Sequence, residues 1–480
     1  MSAVPFQPPR REFSFSNTVS GFLGQPRLPF ADVLTEERIC RIFAKHHGLF
    51  GRTYTTAIVL WAFMSQVLRD GKGAACQSAV SRISSHLQAT TGIGVSSDTR
   101  DYCRARAKLP EQALRALAGD VACGCEEGIE AKHLFKERHA KLIDGSTFIM
   151  PDTPKNQAEY PQNPTQQPGI GFPIARFVVI VSLATACVID AAIGKYKGKE
   201  TGETALLRRL LDCFAPGDIA VADRFYGNYW VIALLMARGA DVCFRKHQGR
   251  LTDFRRGKRL SKNDHLVIWT RPPRPKWMSQ ELHHSMPKSI MLREIRYVVT
   301  EPGRRQQPFV VVTTMFNENV KQEITYEDIA QLFAFRWNAE LDIRSIKTHL
   351  NLNHLRCKSP EMVRREFWTT ILAYNAIRVT AARAGQLEEV APRGISFVST
   401  CQYVLAAWDV VVLDFLTGSA LHAYCIGQLK QLTGCKVGLR PGRFEPRVRK
   451  KRDTTYRLMM QPRQKLRQRL VKGDNSFETR

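Results

Sequence analysis

The sequence predicts a mixed α/β fold, in which one mixed sheet with helices on its faces is flanked by helical regions on both sides. Three observations carry this expectation. The chain between Lys141 and His247 alternates short apolar runs with helical patterns. The stretch before it, from Leu34 to about Glu130, has helical periodicity with caps. A third stretch, from Thr325 through WTTILAYNAIRVTAARAG, is helical again.

Taken in order, residues 1–30 are rich in Pro, Arg and Ser with little periodic apolar content, which reads as a mobile arm. Residues 31–135 read as a helical domain. TEERICRIFAKHHG follows a Thr cap and stops near Gly48, and a helix begins at the Pro110 break. VSSDTRDYCRARAKLP carries four basic residues between Arg100 and Lys108. That run fits either a solvated helix face or a DNA-contacting module, and the basicity of the whole chain favours the second.

Residues 136–247 form the first part of a core. KLIDGSTFIM is a strand, RFVVIVSLATACVIDAAIGKY a hairpin, ETALLRRLLDCF a helix, DIAVAD a strand, YWVIALLMARG a helix and DVCFRKH a strand. Residues 248–324 interrupt this rhythm with strand-like runs, HLVIWT, IMLREIRYVV and PFVVVTTM, which we read as a β-rich insertion. Residues 325–390 resume the core with a long helix opened by a capping box in ITYEDIA. Residues 391–480 are a helical region ending in a tail where Arg440–Lys472 holds thirteen Lys or Arg against two acids.

Composition narrows the partner. The 480 residues carry 71 Lys and Arg against 44 Asp and Glu, a net charge of +27, and this field reaches polyanions over roughly 10 Å. Nucleic acid fits it first. An anionic membrane fits less well, because TTAIVLWAFMSQVL and FVVIVSLATACVIDAAIG are too short or carry Asp190, below the ~20 apolar residues of a span. With no secretory leader pattern and cysteines scattered singly in apolar surroundings, a reducing cytoplasmic setting is expected. Cys123 and Cys125 with His133 and His139 make at most half a zinc site, since no second Cys pair answers them.

Three acids stand out: Asp144 in KLIDGSTFIM, Asp223 in DIAVADRFYGNYW and Glu340 in FAFRWNAELDIRSIKTHL. The first two are read as ending buried strands, where a carboxylate projects from a rigid edge; the bland alternative is a pair of turn formers. On one continuous helix Arg336 lies a turn before Glu340, and Lys347, seven residues on, only about 20° off its face. Phe333, Arg336, Glu340, Arg344 and Lys347 then form one stripe, which suits an anion lying along it. Arg224, beside Asp223, is a lesser candidate for the same phosphate contact. Three carboxylates and one phosphodiester balance two Mg²⁺ ions, and Mg²⁺ favours a few carboxylates plus phosphate oxygens. Asp342 lies about 200° round the helix, Asp218 follows Gly217 in a turn, and Asp190 is mid-strand; of these Asp190 is the strongest competitor.

The strings LIDGS, VADRFYGNYW, FRWNAELDIRSIK and LNLNHLRCKSPEMVRREFWTTILAYNAIR resemble the DDE transposases of bacterial insertion sequences, in the group with a Tyr-Arg-Glu-Lys signature. Phe333, Arg336, Glu340 and Lys347 match three of its four positions, with Phe in place of Tyr. The resemblance extends over roughly residues 35 to 470. It implies a ribonuclease-H-like mixed-sheet catalytic core with a β-rich insertion before the Glu, and Asp144, Asp223 and Glu340 as catalytic metal ligands. It also implies Mg²⁺, with Mn²⁺ as a substitute, and a homodimer acting on double-stranded DNA with terminal inverted repeats and on target DNA. The expected activity is cut-and-paste transposition, with a nucleoid-associated location. A ribonuclease-H-like nuclease without strand transfer, or a catalytically silent DNA-binding regulator, are the alternatives. In the insertion, Trp269 and Trp277 fit either stacking on a flipped base or plain core or surface packing, the second reading weighing at least as much.

Overall fold

A computed structural model describes residues 33–51, 53–91, 95–298, 308–316, 323–411, 418–437 and 459–473. The expected arm 1–30 and the basic stretch 438–458 lie outside the described residues.

Strands β1 (Ala140–Ile149), β2 (Ile174–Ser182), β3 (Val188–Lys195), β4 (Ile219–Ala222) and β5 (Asp241–Arg245) pair in the order β3-β2-β1-β4-β5. The first three form an antiparallel meander, and β4 and β5 run parallel to β1. The insertion is not a separate body. Its strands β6 (Lys258–Ser261), β7 (Asp264–Thr270), β8 (Ser289–Val298) and β9 (Pro308–Thr313) continue the same sheet, because β9 pairs antiparallel with β5. Among the described residues this gives one nine-stranded mixed sheet of ribonuclease-H-like type.

Two-residue alternation gives the sheet two apolar faces. Ala140, Leu142 and Phe148 of β1 and Ile219 and Val221 of β4 enter one core; Ile143, Ala220 and Ala222 enter the other. The second face is covered by α7 (Glu203–Arg208) and α8 (Tyr229–Met236), which bury Leu206, Leu207, Ile232 and Leu235 against it. The first face shares a core with the amino-terminal helices α1 (Glu36–Lys45), α2 (Thr56–Val67), α3 (Cys76–Thr91), α4 (Thr99–Arg106) and α5 (Glu111–Glu127). Helix α2 is apolar all round and buried along its whole length, as such a helix must be.

After the short helices α6 (Pro154–Glu159) and α9 (Gln280–Ser285), the stretch read as one long helix is three. Helix α10 (Tyr326–Ala334) opens on the expected capping box, Thr325 with Asp328. It gives way to α11 (Trp337–His349) through a tight turn in which the Arg336 N–H bonds Phe333 O (3.1 Å) and the Asn338 N–H bonds Phe335 O (2.9 Å). Residues 350–359 then leave helical geometry to pair with the end of β1: Ile149 N–H bonds Asn353 O (3.0 Å) and Leu355 N–H bonds Ile149 O (3.1 Å). Helix α12 (Pro360–Leu387) starts with Pro at its first turn and runs through the core. Within it the buried Asn375 accepts from Val188 N–H (2.8 Å) and donates to Val188 O (2.8 Å) and Ala118 O (2.9 Å), tying β3 to α5. Helices α13 (Phe397–Val411), α14 (Gly418–Thr433) and the exposed, basic α15 (Arg463–Val471) complete the chain.

Several residues of the helical region differ from a simple basic face. Arg106 is held between the rings of Phe63 and Tyr102 and bonds Gln66 Oε1 (3.1 Å), whereas Arg100 and Arg104 are exposed. The half zinc site does not assemble: His139 pairs with Glu126 (3.0 Å), and Cys123 is exposed. No helix among the described residues is long and apolar enough to cross a membrane.

Candidate active site

Asp144 lies in the middle of β1 rather than at its end. The strand continues to Ile149 because β2 pairs with it throughout, Asp144 opposite Val179 and Ile149 opposite Ile174. On the other side β4 stops sooner. Its ladder with β1 ends at the pair Ile143–Ala222, so Asp144 and Asp223 are the next positions along two adjacent parallel strands, about 4.8 Å apart by strand spacing. Alternation puts Asp144 on the face of Leu142 and Asp223 on the face of Val221, which is the same face. The strand-end character assigned to both acids therefore holds for Asp223, and for Asp144 only with respect to β4.

The residues after Asp223 explain why the chain turns there. Tyr226 N–H bonds Asp223 O (3.1 Å), and at Gly227 a Cβ would stand 2.4 Å from the carbonyl oxygen of Arg245 on β5, so only glycine fits. Asn228 caps α8 by accepting from Val231 N–H (3.1 Å). Arg224 reaches away to Gln248 Oε1 (3.0 Å) and lies over the exposed Phe225.

Helix α11 packs on β1 from the Asp144 side, burying Ala339, Ile343 and Ile346 in the shared core. Glu340, in its first turn, accepts from Arg336 Nη1 (2.8 Å). One face further along, Lys347 Nζ donates to Ser146 Oγ (2.9 Å), two residues beyond Asp144 on the same strand face. The surroundings of Asp144 act on its ionisation. Burial pushes its carboxyl up to about 6; the Gly145 N–H (2.8 Å) and Arg336 oppose this, while Glu340 and Glu203 add to it. Burial likewise holds the Lys347 ammonium below its ordinary value.

The structure thus brings Asp144, Asp223, Arg336, Glu340 and Lys347 to one face. The rest of the stripe is placed differently: the half-buried Phe333 ring packs on Phe309 (5.4 Å) and lies beneath the Arg336 guanidinium (6.0 Å), and Arg344 is exposed on α11. Competing acids have structural partners: Asp190 pairs with Arg115 (2.5 Å), Asp218 with Lys141 (2.6 Å), and buried Asp342 with Arg378 (3.0 Å) and Arg393 (2.8 Å). Trp269 is buried and donates to Glu294 Oε1 (3.0 Å), so it is core and not a base-stacking surface; Trp277 is half-buried beneath Arg208.

Three contributors that the sequence reading passed over emerge: Ser146, Glu203 and Tyr226. Only Ser146 had a legible signal, two residues from Asp144 and therefore on its face. The donor set suits a hard divalent cation, since a carboxylate whose ionisation is penalised by burial and by neighbouring carboxylates gains most from a positive ion beside it. The acids share a face without closing into a cage, and Arg336 occupies Glu340.

Residues 136–376, half of the chain, match the family model described as the transposase DDE domain. The chain is also 26% identical over 275 residues to the transposase InsG for insertion sequence element IS4 from Escherichia coli (strain K12). That alignment covers 55% of this chain and 57% of the relative.

Proposed function

Because the chain belongs to the transposase DDE domain family, we propose that it is a DNA transposase that cleaves phosphodiesters at the ends of an insertion sequence and transfers the freed strand to target DNA by a cut-and-paste route. The observation that supports this best is the shared face of Asp144 and Asp223 at adjacent positions of β1 and β4, covered by the helix that carries Glu340.

In this reading Asp144, Asp223 and Glu340 hold divalent metal, Mg²⁺ with Mn²⁺ as a substitute. When bound, such a pair of ions supplies activation of the attacking oxygen and charge stabilisation at the leaving one. The protein does the rest by position. β1 and the β4 end fix two carboxylates on a rigid edge, and α11 fixes the third. Arg336 orients Glu340 through one N–H and has further donors for a phosphate. Lys347, anchored at Ser146, and exposed Arg344 present charge to the flanking backbone; Arg224 is a further contact. The attacking species is water at the first step and the freed 3′ hydroxyl at strand transfer. Double-stranded DNA with terminal inverted repeats, target DNA and a homodimeric complex complete the proposal, with a cytoplasmic, nucleoid-associated location.

Incubation with Mg²⁺ and DNA carrying the flanking inverted repeats tests it. Joined strand-transfer product is expected. Nicking alone would instead assign a nuclease without strand transfer, and a shifted band without cleavage a silent regulator.

A further inference from the structure

Behind the acid-bearing face lies a second polar arrangement. Glu203 opens α7, which packs on the opposite face of the sheet, and its side chain lies directly against Gly145: a Cβ there would be 2.7 Å from the Glu203 carboxyl carbon and 3.0 Å from Oε1. The buried Tyr226, three residues after Asp223, donates its hydroxyl to Glu203 Oε2 (3.3 Å). One carboxylate therefore touches the residue next to Asp144 and, through Tyr226, the turn that carries Asp223. This happens where the β1–β4 ladder has already ended at Ile143–Ala222, so no backbone hydrogen bond between those two strands fixes the separation of the acids.

We propose that Glu203 is a positioning residue for the two aspartates, a strut from Gly145 to Tyr226 that sets the spacing of the segments carrying Asp144 and Asp223. The proposal rests on the reading of Asp144 and Asp223 as metal ligands. Three features support it physically. Glycine at 145 leaves the space that the Glu203 side chain fills. The helix carrying Glu203 is anchored by Leu206 and Leu207 in the second core. Tyr226 is enclosed by the same core, so its ring transmits the position of Glu203 to the Asp223 turn rather than yielding to it.

The test is Mn²⁺ binding to the full-length protein without DNA, followed by calorimetric titration, alongside melting temperature and DNA-end binding. Glu203→Ala is expected to weaken Mn²⁺ binding about tenfold or more, the usual cost of removing a partner that orients a metal ligand. DNA-end binding should stay within severalfold. Glu203→Gln, which retains an acceptor for the Tyr226 hydroxyl and the bulk over Gly145, should restore most of the affinity. Tyr226→Phe should fall between wild type and Glu203→Ala. Wild-type Mn²⁺ affinity in folded Glu203→Ala, or in Tyr226→Phe should the alanine variant not fold, overturns the strut. Equal losses in Glu203→Gln and Glu203→Ala would overturn it as well, since charge rather than position would then matter. Asp144→Asn is the control for the underlying reading: if that change leaves Mn²⁺ affinity intact, the metal-ligand assignment fails and the strut with it, whereas a loss in Asp144→Asn with none in Glu203→Ala removes the strut alone.

Discussion

Asp144 is the residue on which local physics and proposed chemistry pull against each other. Its carboxyl is pushed up to about 6, chiefly by burial, so without metal the folded protein binds that proton more tightly than the unfolded chain does. The group therefore costs stability above pH 6, and the cost fades as pH falls from 6 toward the ordinary carboxylate value. Asp144→Asn in EDTA at pH 7.5 should accordingly be more stable than wild type by on the order of 2 kcal/mol, with the gain gone near pH 4, as read by thermal melts across pH. Asp223→Asn is expected to abolish cleavage while DNA binding stays within severalfold; parallel loss of both would remove Asp223 from the metal site. Lys347→Ala should flatten the salt dependence of end binding by roughly one phosphate, and an unchanged slope would place Lys347 away from DNA. The three acids were legible because each sits in a string with its own local grammar. Glu203 was not, since nothing in KGKETGETALL distinguishes a glutamate that folds back under a glycine 58 positions earlier from one that merely starts a helix.

At the scale of elements, strands and caps were readable and the long helix was not. The meander, β4, α8 and β5 lie where alternation and turn residues put them. The expected stripe from Phe333 to Lys347 assumed unbroken helical geometry, whereas the helix is interrupted at Phe335–Arg336: Ile329 and Leu332 before the turn and Ala339, Ile343 and Ile346 after it enter one core, and Arg336 lies over the Phe333 ring (6.0 Å). Asn375 shows the same dependence on long-range contact. A single Asn in LAYNAIR gave no sign that it caps both backbone groups of Val188 and reaches α5. Asn375→Leu, which takes their side-chain partner from the buried Val188 N–H and C=O, should cost about 3 kcal/mol in chemical denaturation. A loss under 1 kcal/mol would mean that water or a shifted β3 replaces those bonds.

Across the whole molecule, the helical region before residue 136 and the sheet are not independent. One contiguous apolar core runs from Val33 to Val404, including α2, α5, β1 and α12. Scanning calorimetry of the described fold should therefore give one main transition, and two well-separated ones would show that the amino-terminal helices unfold alone. The mixed α/β class was visible in the sequence from the change of periodicity near Lys141 and again near Thr325. The merging of the insertion with the main sheet was not visible, because strand pairing between β5 and β9 depends on partners about seventy residues apart. The position of α11 has a further consequence in time. Glu340 leaves the ribosome 117 residues after Asp223, and α11, which packs on β1, leaves with it. At about 5–20 residues per second, a nascent chain carries both aspartates for roughly 6–25 s before the third acid can dock, so under the proposed assignment of the acids an unfinished polypeptide has no means of cutting DNA.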